Sequence, residues 1–466
     1  MGRVRHVLVR AHLAAQPRYA VMPALLWFRR DLRLGDHPAL AEAVGATDDK
    51  DVLACFVLDP RLEKTSGPRR MQFLGDALRQ LDNDLDGRLL VVRGRPEQRI
   101  PLLAKQIDAS AVYVSEDFAP FGKRRDERVR AELGAVPLIS AGSPYLVSPG
   151  RVAKPDGEPY RVFTPFLRAW REAGWRKPAK SGAKSADWID PARLGVKACE
   201  IPDPGATLHV EAGEAAALKQ WKAFVHNGLD NYSTDRNRPD LEGTSRMSAH
   251  LKFGTIHPRT MVADLNPRTE GAQTYLRELA FRDFYADVLH HWPHSAWRNW
   301  NSGFDGIETD TGAAAERRYE SWKAGQTGFP IVDAGMRQLR ETGFLHNRVR
   351  MIVASFLVKD LHLPWQWGAQ WFLDQLTDGD MANNQHGWQW CAGCGTDAAP
   401  YFRVFNPTTQ GEKFDPSGEY IRRWVPELAA TDDPHLRKGE RPPQYPEPIV
   451  DHGAERAEAL RRYHSL

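Results

Sequence analysis

Short, fully apolar runs alternate with amphipathic stretches along the first third of the chain. The apolar runs predict β-strands, and the stretches between them predict helices because apolar side chains recur every three or four residues. Strands that are apolar on both faces and separated by helices are typical of a parallel sheet covered by helices on both sides. The predicted strands span residues 24–28, 52–58, 89–93, 111–115 and 138–141, and the predicted helices span 38–44, 69–85, 97–107 and 123–133.

The second half of the chain has a different pattern. Residues 142–210 are rich in Pro, Gly, Lys and Ser, a composition typical of an interdomain linker on the surface. From residue 211 onward the periodicity is helical without comparable strand runs, and it predicts helices at 211–226, 271–290, 331–341 and 347–359. We therefore predict an α/β domain with a five-stranded parallel, Rossmann-like sheet at 22–141, a linker at 142–210 and an all-α domain at 211–466.

The first 21 residues differ from the rest, with four arginines and no acidic residue. Such a composition occurs in mitochondrial transit segments, but this one lacks serine, and it has no apolar core of a secretory signal. We interpret Met22 as the natural start and residues 1–21 as a disordered or mis-assigned leader.

Composition narrows the function classes. The 466 residues, 42% of them hydrophobic, suffice for two or three domains. Because 63 Lys and Arg face 60 Asp and Glu, any nucleic-acid surface must be a local basic patch. Four cysteines favour a reducing cytoplasm over a disulfide scaffold, and no apolar stretch is long enough to span a membrane. The 15 tryptophans point to stacking on an aromatic ligand.

Three segments of the second half could carry chemistry. Hydroxyl groups of Thr244, Ser245 and Ser248 open a predicted helix and suit an anion such as phosphate, although an ordinary N-cap explains them equally well. Glu278 and Phe281 share one helical face with Arg282 and Tyr285, as expected for binding and stacking a heterocycle, or for core aromatics with ion-paired charges.

The third segment is the run Asn347, Arg348, Arg350 and Met351. The two arginines lie two residues apart and should have different partners, one of them in a bidentate pair with Asp378 or Asp380. A solvated charged face is the alternative. Amides and tryptophans alternate further on, at residues 383–390, and suit an aromatic, polar ligand.

Two other signals are weak. No βαβ strand precedes Cys391-x-x-Cys394, so a redox motif is not expected, and no matching ligands predict a zinc site or any other metal. The first strand is followed by WFRRD at 27–31 instead of G-x-G-x-x-G, which argues against dinucleotide binding in the usual Rossmann manner.

Several long motifs in one order resemble a known family. They are WFRRDLR at 27–33, EGTSRMS at 242–248, TGFPIVD at 327–333, HNRVRM at 346–351, ASFLVKD at 354–360, the block 388–407 and YPEPIV at 445–450. The chain resembles the DNA photolyase/cryptochrome flavoproteins, in particular the class I branch that repairs cyclobutane pyrimidine dimers. The resemblance covers nearly everything after the leader.

The resemblance implies an N-terminal antenna domain and a helical domain that holds FAD in a folded conformation. Residues implied to bind the FAD phosphates and ribitol are Tyr232, Thr244, Ser245, Met247 and Ser248. Those implied to line the rest of the FAD pocket are Tyr275, Glu278, Arg282, Asn347, Arg350, Asp378 and Asp380, with Asn384 facing flavin N5. Trp388 and Trp365 would be links of an electron-transfer chain.

The implied reaction is light-driven repair. A dimer flipped out of the duplex would contact Glu278, Phe281, Asn347, Met351 and Trp390, and it would receive an electron from photoexcited reduced FAD, open its ring and return the electron. Phosphates of the damaged strand would meet Arg236, Arg348 and Arg403. We expect a monomer in the cytoplasm, associated with the nucleoid through DNA and not with a membrane.

The sequence departs from the family at two places. Phe281 stands where a stacking tryptophan is usual, which reduces the expected stacking energy of roughly 1–3 kcal/mol. The usual surface tryptophan of the electron chain has no equivalent in ETDTG at 308–312, and Tyr319, Trp322 and Trp371 are the candidates to replace it.

The antenna pigment has two candidates. Residues 116–126 resemble the deazaflavin-binding members, so we expect 8-hydroxy-5-deazaflavin near Asp117, with 5,10-methenyltetrahydrofolate as the alternative.

Two alternative functions belong to the same family. One is a blue-light receptor, a cryptochrome; such receptors commonly carry a long C-terminal extension, and plant-type members tend to have an acid where this chain has Asn384. The other is repair of (6-4) photoproducts, which relies on a histidine pair, whereas Asn347 and Met351 follow the dimer-repair pattern.

Overall fold

The predicted parallel sheet is present in the computed structural model, which describes residues 22–47, 49–180, 182–397, 402–437 and 441–466. The leader predicted at 1–21 lies outside the described residues. Each strand begins and ends within one residue of its predicted bounds, because each is an apolar run bounded by turns. The strands are β1 (Ala24–Phe28), β2 (Asp51–Leu58), β3 (Leu89–Arg93), β4 (Ala111–Val114) and β5 (Leu138–Ser140). Their order in the sheet is β3-β2-β1-β4-β5, with every pair parallel.

Alternate side chains of each central strand pack into two separate cores, one on each face of the sheet, as expected for a sheet covered on both faces. In β1, Leu26 and Phe28 pack into one core and Leu25 and Trp27 into the other. Proline opens every helix of this part, where its fixed φ and missing N–H cost nothing. These helices are α1 (Pro38–Gly45), α2 (Pro60–Glu63), α3 (Pro68–Asp84), α4 (Pro96–Gln106) and α5 (Pro120–Glu132).

The segment 142–210 is more structured than a surface linker. It contains α6 (Phe163–Ala173), in which Phe163, Phe166 and Trp170 are almost fully buried in a core shared with the helical half. It also contains β6 (Asp187–Trp188), which pairs with the beginning of β2. The prediction of a surface-wrapping linker was therefore wrong for these stretches, because their Lys- and Pro-rich flanks outweighed a short amphipathic pattern.

Beyond residue 211 the described residues form helices and no strand, as predicted. The helices are α7 (Glu214–Asn227), α8 (Tyr232–Asp235), α9 (Ser248–Phe253), α10 (Pro258–Ala263), α11 (Glu270–His291), α12 (Gly312–Ala324), α13 (Pro330–Thr342), α14 (Asn347–Lys359), α15 (Trp365–Gln375), α16 (Met381–Ala392), α17 (Pro407–Phe414), α18 (Glu419–Trp424) and α19 (His452–His464). The periodicity did not predict α15 or α16, because both carry bulky or amide side chains all around. None of the described helices combines the length and the apolarity that crossing a bilayer demands.

Three of these helices pack together and position the candidate site. The rings of Tyr285 on α11 and His386 on α16 stack with centroids 5.5 Å apart. The Cys391 thiol of α16 donates to the Met351 carbonyl of α14, with 3.8 Å between sulfur and oxygen. As a result, the functional faces of α11, α14 and α16 are held in fixed relation to one another.

Candidate functional site

One hydroxyl of the cluster before α9, that of Ser245, contacts Tyr275, which lies against Tyr232. The hydroxyls of Ser245 and Tyr275 lie 2.8 Å apart, and the Tyr232 ring is centred 5.1 Å from that of Tyr275. As predicted, a helix begins at Ser248, but no described side chain caps it, so the ordinary N-cap alternative does not account for the cluster. Thr244 is half-buried, Met247 is buried and Ser248 is exposed. Of the cluster, Ser245 thus lies with Tyr232 and Tyr275 at one place.

The predicted pairing of one of the two arginines with an aspartate is present, between Arg350 and Asp378, but it is not bidentate. Arg350 Nη2 donates to Asp378 Oδ2 at 2.9 Å, while Nε donates to the Leu345 carbonyl at 2.8 Å. The backbone carbonyl competes for the second guanidinium donor, which is why the bidentate prediction was wrong. Burial alone would raise the pKa of Asp378, but the charge of Arg350, hydrogen bonds to the carboxylate and the charge of His209 together lower it. Arg348 has different partners, as predicted.

Asp380 connects the two halves of the chain. Its Oδ1 caps α16 by accepting from the Asn383 amide N–H at 3.1 Å, and its Oδ2 accepts from Arg30 at 2.9 Å. The ammonium of Lys252 lies 3.9 Å from the same oxygen, and burial, followed by the charge of Arg30, lowers its pKa to about 7. Sequence analysis missed Arg30 and Lys252, because their contact with Asp380 spans more than a hundred residues.

Helix α16 carries an open space beside Asn384. A Cβ at Gly387, three residues further on, would meet no atom within 4 Å outside the local helix backbone. The buried Trp388 Nε1 and Asp378 Oδ1 have no hydrogen-bond partner among the described residues. Buried polar atoms of this kind call for a partner. A flat, polar ligand such as the flavin that the resemblance implies would fill such a space and supply such partners.

Two consecutive residues tie α11 to α14. Arg236 Nη1 donates to Glu278 Oε1 on α11 at 2.5 Å, and Arg348 Nη2 on α14 donates to Asn237 Oδ1 at 2.7 Å. Three residues to which the resemblance assigns lesion and phosphate contacts, Glu278, Arg236 and Arg348, therefore lie at one place. Arg282 lies along the same face of α11 and donates to the Pro144 and Leu251 carbonyls.

The most closely stacked ring pair of this region is Phe281 on Phe163, with centroids 3.4 Å apart and an interplanar angle of 8°. The Arg277 guanidinium lies 5.6 Å from the Phe163 ring centre and 5.9 Å from that of Phe281. Phe163 belongs to α6, in the segment expected to be a linker, so sequence analysis missed it. The signal that could have found it is the apolar spacing of Phe163, Phe166 and Trp170.

The remaining predicted lesion residues lie around α14 and the end of α16. Asn347 is exposed at the first position of α14, and Met351 Sδ lies 3.5 Å from Arg348 Nη1. Trp390 lines a cavity of about 200 Å³ together with Arg403, whose carbonyl accepts from Lys359 Nζ at 2.6 Å. The cavity shows that space exists next to these two residues.

The aromatic contacts of Trp388 identify neighbours for the predicted electron chain. Its ring lies 6.1 Å from Trp322, which stacks on Tyr319 at 5.9 Å between centroids. Trp365 is buried, and its Nε1 donates to Asn299 Oδ1 at 2.9 Å. Trp371 lies under Lys323, with 5.0 Å between the ammonium and its ring centre. Two of the three candidates to replace the surface tryptophan are thus connected to Trp388. Trp322 contacts it directly, and Tyr319 contacts it through Trp322.

Asp117 lies in a cluster of arginines between β4 and α5. Its Oδ1 accepts from the Ala119 amide N–H and its Oδ2 from Arg125, both at 3.2 Å. Burial alone would raise the pKa of Asp117, but the charges of Arg125, Arg30 and Arg29 together lower it. This carboxylate is therefore charged and oriented.

Neither cysteine of Cys391-x-x-Cys394 is disposed for redox chemistry. Both are free and buried, and burial raises the pKa of each thiol to about 12. In the described part of the chain, no group of His, Cys, Asp and Glu side chains could hold a metal ion.

Comparison with known proteins places both halves of the chain. The family described as DNA photolyase matches residues 24–183, and the FAD binding domain of DNA photolyase matches residues 275–465. The deoxyribodipyrimidine photo-lyase of Halobacterium salinarum is 39% identical, over 94% of this chain and 98% of the relative.

Solved structures agree with these matches. A class III photolyase from Agrobacterium tumefaciens superimposes with a TM-score of 0.87 and 32% identity, over 98% of this chain and 99% of that one. A cryptochrome from Synechocystis gives 0.85 and 28%, over 94% and 98%. An archaeal photolyase from Sulfolobus tokodaii, solved with two FAD molecules, gives 0.81 and 31%, over 96% and 100%.

Proposed function

Because this chain belongs to the DNA photolyase family, we propose that it repairs cyclobutane pyrimidine dimers in DNA with the energy of light. The observation that carries the proposal is the junction at Arg236 and Asn237. It places a carboxylate, Glu278, beside two cations, Arg236 and Arg348, at the end of a face that continues to Phe281. A site for an extruded base next to a DNA backbone needs these groups in this proximity.

The helical half binds FAD. In this proposal Tyr232, Thr244, Ser245, Met247 and Ser248 hold its phosphates and ribitol, while Tyr275, Arg282, Arg350, Asp378, Asp380 and Asn384 line the rest of the pocket. When bound, reduced and excited by light, FAD supplies the electron that opens the cyclobutane ring. The charged Asp378–Arg350 pair fixes the electrostatic environment, and buried Trp388 excludes water from that side.

The protein groups around the lesion orient it and compensate its charge. A dimer stacks and pairs poorly in a duplex, so flipping it out costs less than flipping an intact pair, which is one source of selectivity. Glu278 accepts hydrogen bonds from the pyrimidines, Phe281 stacks on them, and Asn347, Met351 and Trp390 form the remaining walls. Arg236, Arg348 and Arg403 bind phosphates without reading sequence, so affinity should fall as the salt concentration rises.

The decisive test is repair itself. We expect that the reduced holoprotein, illuminated with an oligonucleotide that contains one dimer, restores the two pyrimidines, whereas a dark sample does not. Chromatography of the recovered strand measures the loss of the lesion. An illuminated sample that retains every dimer would overturn the proposal.

The role of Glu278 has its own test. Glu278→Ala should lower the repair quantum yield more than the affinity for dimer-containing DNA, because the hydrogen bonds that the carboxylate accepts hold the pyrimidines in the position that electron transfer requires. Glu427→Ala removes a comparable half-buried carboxylate, paired with Arg337, and should leave the yield unchanged. An unchanged yield in Glu278→Ala would refute the role.

Phe163 should contribute to lesion binding through Phe281. Because the two rings stack face to face, Phe163→Leu leaves Phe281 without its support, and we expect affinity for dimer-containing DNA to fall by about five- to tenfold, at the lower end of the range for one base–aromatic stack. Phe163→Tyr keeps the ring and should retain the affinity. Fluorescence anisotropy measures both variants, with undamaged DNA as the reference on which neither should differ. Equal loss in both variants would contradict a stacking role.

One observation bears on the (6-4) alternative. His346 is the N-cap of α14, with Nδ1 accepting from the Arg348 amide N–H at 3.2 Å, and burial lowers its pKa to about 3. A buried, neutral histidine engaged in a cap does not serve as an acid toward a lesion. Dimer repair therefore remains the function that the site supports best.

The proposal includes an antenna and a domain division. We propose that residues 22–141 bind 8-hydroxy-5-deazaflavin near Asp117; 5,10-methenyltetrahydrofolate and a second FAD are the alternatives, and the absorption spectrum of the purified holoprotein distinguishes the three. Residues 142–210 connect this domain to the catalytic one at 211–466. The protein acts on DNA in the cytoplasm as a monomer.

A further inference from the structure

Two residues with different proposed tasks bind each other in this structure. Arg236, assigned above to a phosphate of the damaged strand, donates to Glu278, the carboxylate assigned to the extruded pyrimidines, over 2.5 Å. In the described part of the chain, Glu278 has no second hydrogen-bond partner. One ion pair therefore joins both groups, so Arg236 Nη1 and Glu278 Oε1 serve each other and not their separate ligands while the pair is closed.

We propose that the Arg236–Glu278 ion pair is a specificity latch, which stays closed on undamaged DNA and opens when a pyrimidine dimer replaces Arg236 on Glu278. The proposal rests on the function proposed above, in which this site receives the dimer. It adds that damage recognition releases a phosphate-binding arginine that undamaged DNA does not obtain.

The chemistry of the competing ligands explains the selectivity. A phosphate accepts hydrogen bonds but donates none, so it can draw Arg236 away only by leaving Glu278 unpaired and half-buried beside a second negative charge, which is unfavourable. An extruded pyrimidine offers an imide N–H to the carboxylate and so replaces the donor that Arg236 withdraws. Undamaged DNA keeps its bases stacked and has no such donor to offer.

The surroundings make both states accessible. The side chains of Arg236 and Glu278 are 20% and 28% exposed, so each can turn without opening the core. Arg348 lies close by on Asn237, and burial, followed by the charge of Arg236, lowers its pKa. In the closed state Glu278 offsets the repulsion between these two cations. Once Glu278 binds the lesion, the two arginines are left with excess positive charge, which attracts the strand phosphates.

The first test measures how many phosphates each form neutralises. Each phosphate contact on duplex DNA contributes about −0.9 to the slope of log K against log[salt]. We expect Glu278→Gln, in which Arg236 is free, to steepen the slope on undamaged duplex by about 0.9. Its affinity for that duplex should rise by about two- to fivefold, which corresponds to the free energy that a surface ion pair contributes. Binding to duplexes with and without one dimer is measured on the holoprotein at several salt concentrations.

The second test uses Arg236→Gln. Because the closed latch withholds Arg236 from undamaged DNA, this variant should keep the wild-type salt slope on undamaged duplex, but it should lose about 0.9 of the slope on the dimer-containing duplex. The double variant, Glu278→Gln with Arg236→Gln, should return the undamaged-duplex slope to the wild-type value. Glu427→Gln is the matched control, since the Glu427–Arg337 pair has nearly the same exposure, 27% and 19%, and should change neither slope.

The outcomes distinguish failure of the proposed latch from failure of the proposed function. A Glu278→Gln slope on undamaged duplex equal to that of wild type and Glu427→Gln overturns the latch, as does an Arg236→Gln variant that loses slope equally on both duplexes. Failure of the proposed function looks different: the wild-type protein then fails to prefer dimer-containing DNA at all. Flavin content and thermal unfolding of every variant confirm that each is folded.

Discussion

Asp378→Ala releases the flavin and lowers the free energy of unfolding by about 2–3 kcal/mol. The carboxylate is buried and holds Arg350 through one hydrogen bond, so its removal leaves a cation with a single backbone partner and deletes a polar wall of the cofactor site. The loss should fall below that of a fully buried pair, because the Arg350 side chain is 28% exposed. Urea unfolding of the apoprotein measures the stability, and absorbance near the flavin band after gel filtration measures the retained cofactor.

Acidification should reproduce part of this loss. The pKa of Asp378 is lowered in the folded protein, so the carboxylate contributes stability above its ordinary pKa of about 4, and the contribution declines as the pH falls through the lower, folded-state pKa. Asp378→Asn, which keeps an acceptor for Arg350, should retain more stability than the alanine variant but lose this pH dependence. Glu308→Ala removes one partner of an exposed pair and is the control, with no expected change in stability or flavin content. A flavin content unaffected in Asp378→Ala would contradict the assignment of this side chain to the pocket.

The strands were predicted to within one residue because each is determined by residues that are neighbours in the sequence. Each strand is a short run of apolar side chains without the polar face that an amphipathic helix has. Turn residues bound the run on both sides. Helix α14, whose predicted and observed bounds are both 347–359, has a clear apolar stripe as well. By contrast, α16 mixes amides and tryptophans around its whole circumference because it lies between other helices and the open space, so periodicity carried no signal there.

The residues that form the site could be identified from the sequence, but the pairs that their side chains form could not. The motifs indicated that Arg350 and the aspartates belong together, but which oxygen binds which nitrogen depends on the Leu345 carbonyl, which no side-chain pattern reveals. Arg236 and Glu278 were both singled out, yet each was assigned a separate ligand, because a pair 42 residues apart depends on the tertiary fold. Phe163 was missed for the same reason: its importance follows from its place against Phe281.

Gly387→Leu should abolish flavin binding while leaving the folded apoprotein at least as stable as the wild type. A glycine inside a helix costs up to about 1 kcal/mol relative to other helix formers, and a Cβ at Gly387 would meet no atom within 4 Å, so the first atom of a side chain there introduces no clash within the protein. The same open space lies three residues from Asn384 and next to Trp388, where the resemblance places the flavin. A leucine would therefore occupy volume that the cofactor needs.

Gly368 on α15 provides the contrast. A Cβ there would clash with Cη2 of Trp388, so Gly368→Ala should destabilise the protein itself, by an amount typical of overpacking, about 1–3 kcal/mol. Flavin content and urea unfolding of both apoproteins distinguish the two effects: loss of cofactor at unchanged stability for Gly387→Leu, and loss of stability for Gly368→Ala. If Gly387→Leu bound flavin as the wild type does, the space beside Asn384 would not be the cofactor site, and the flavin would have to lie on another face of α16.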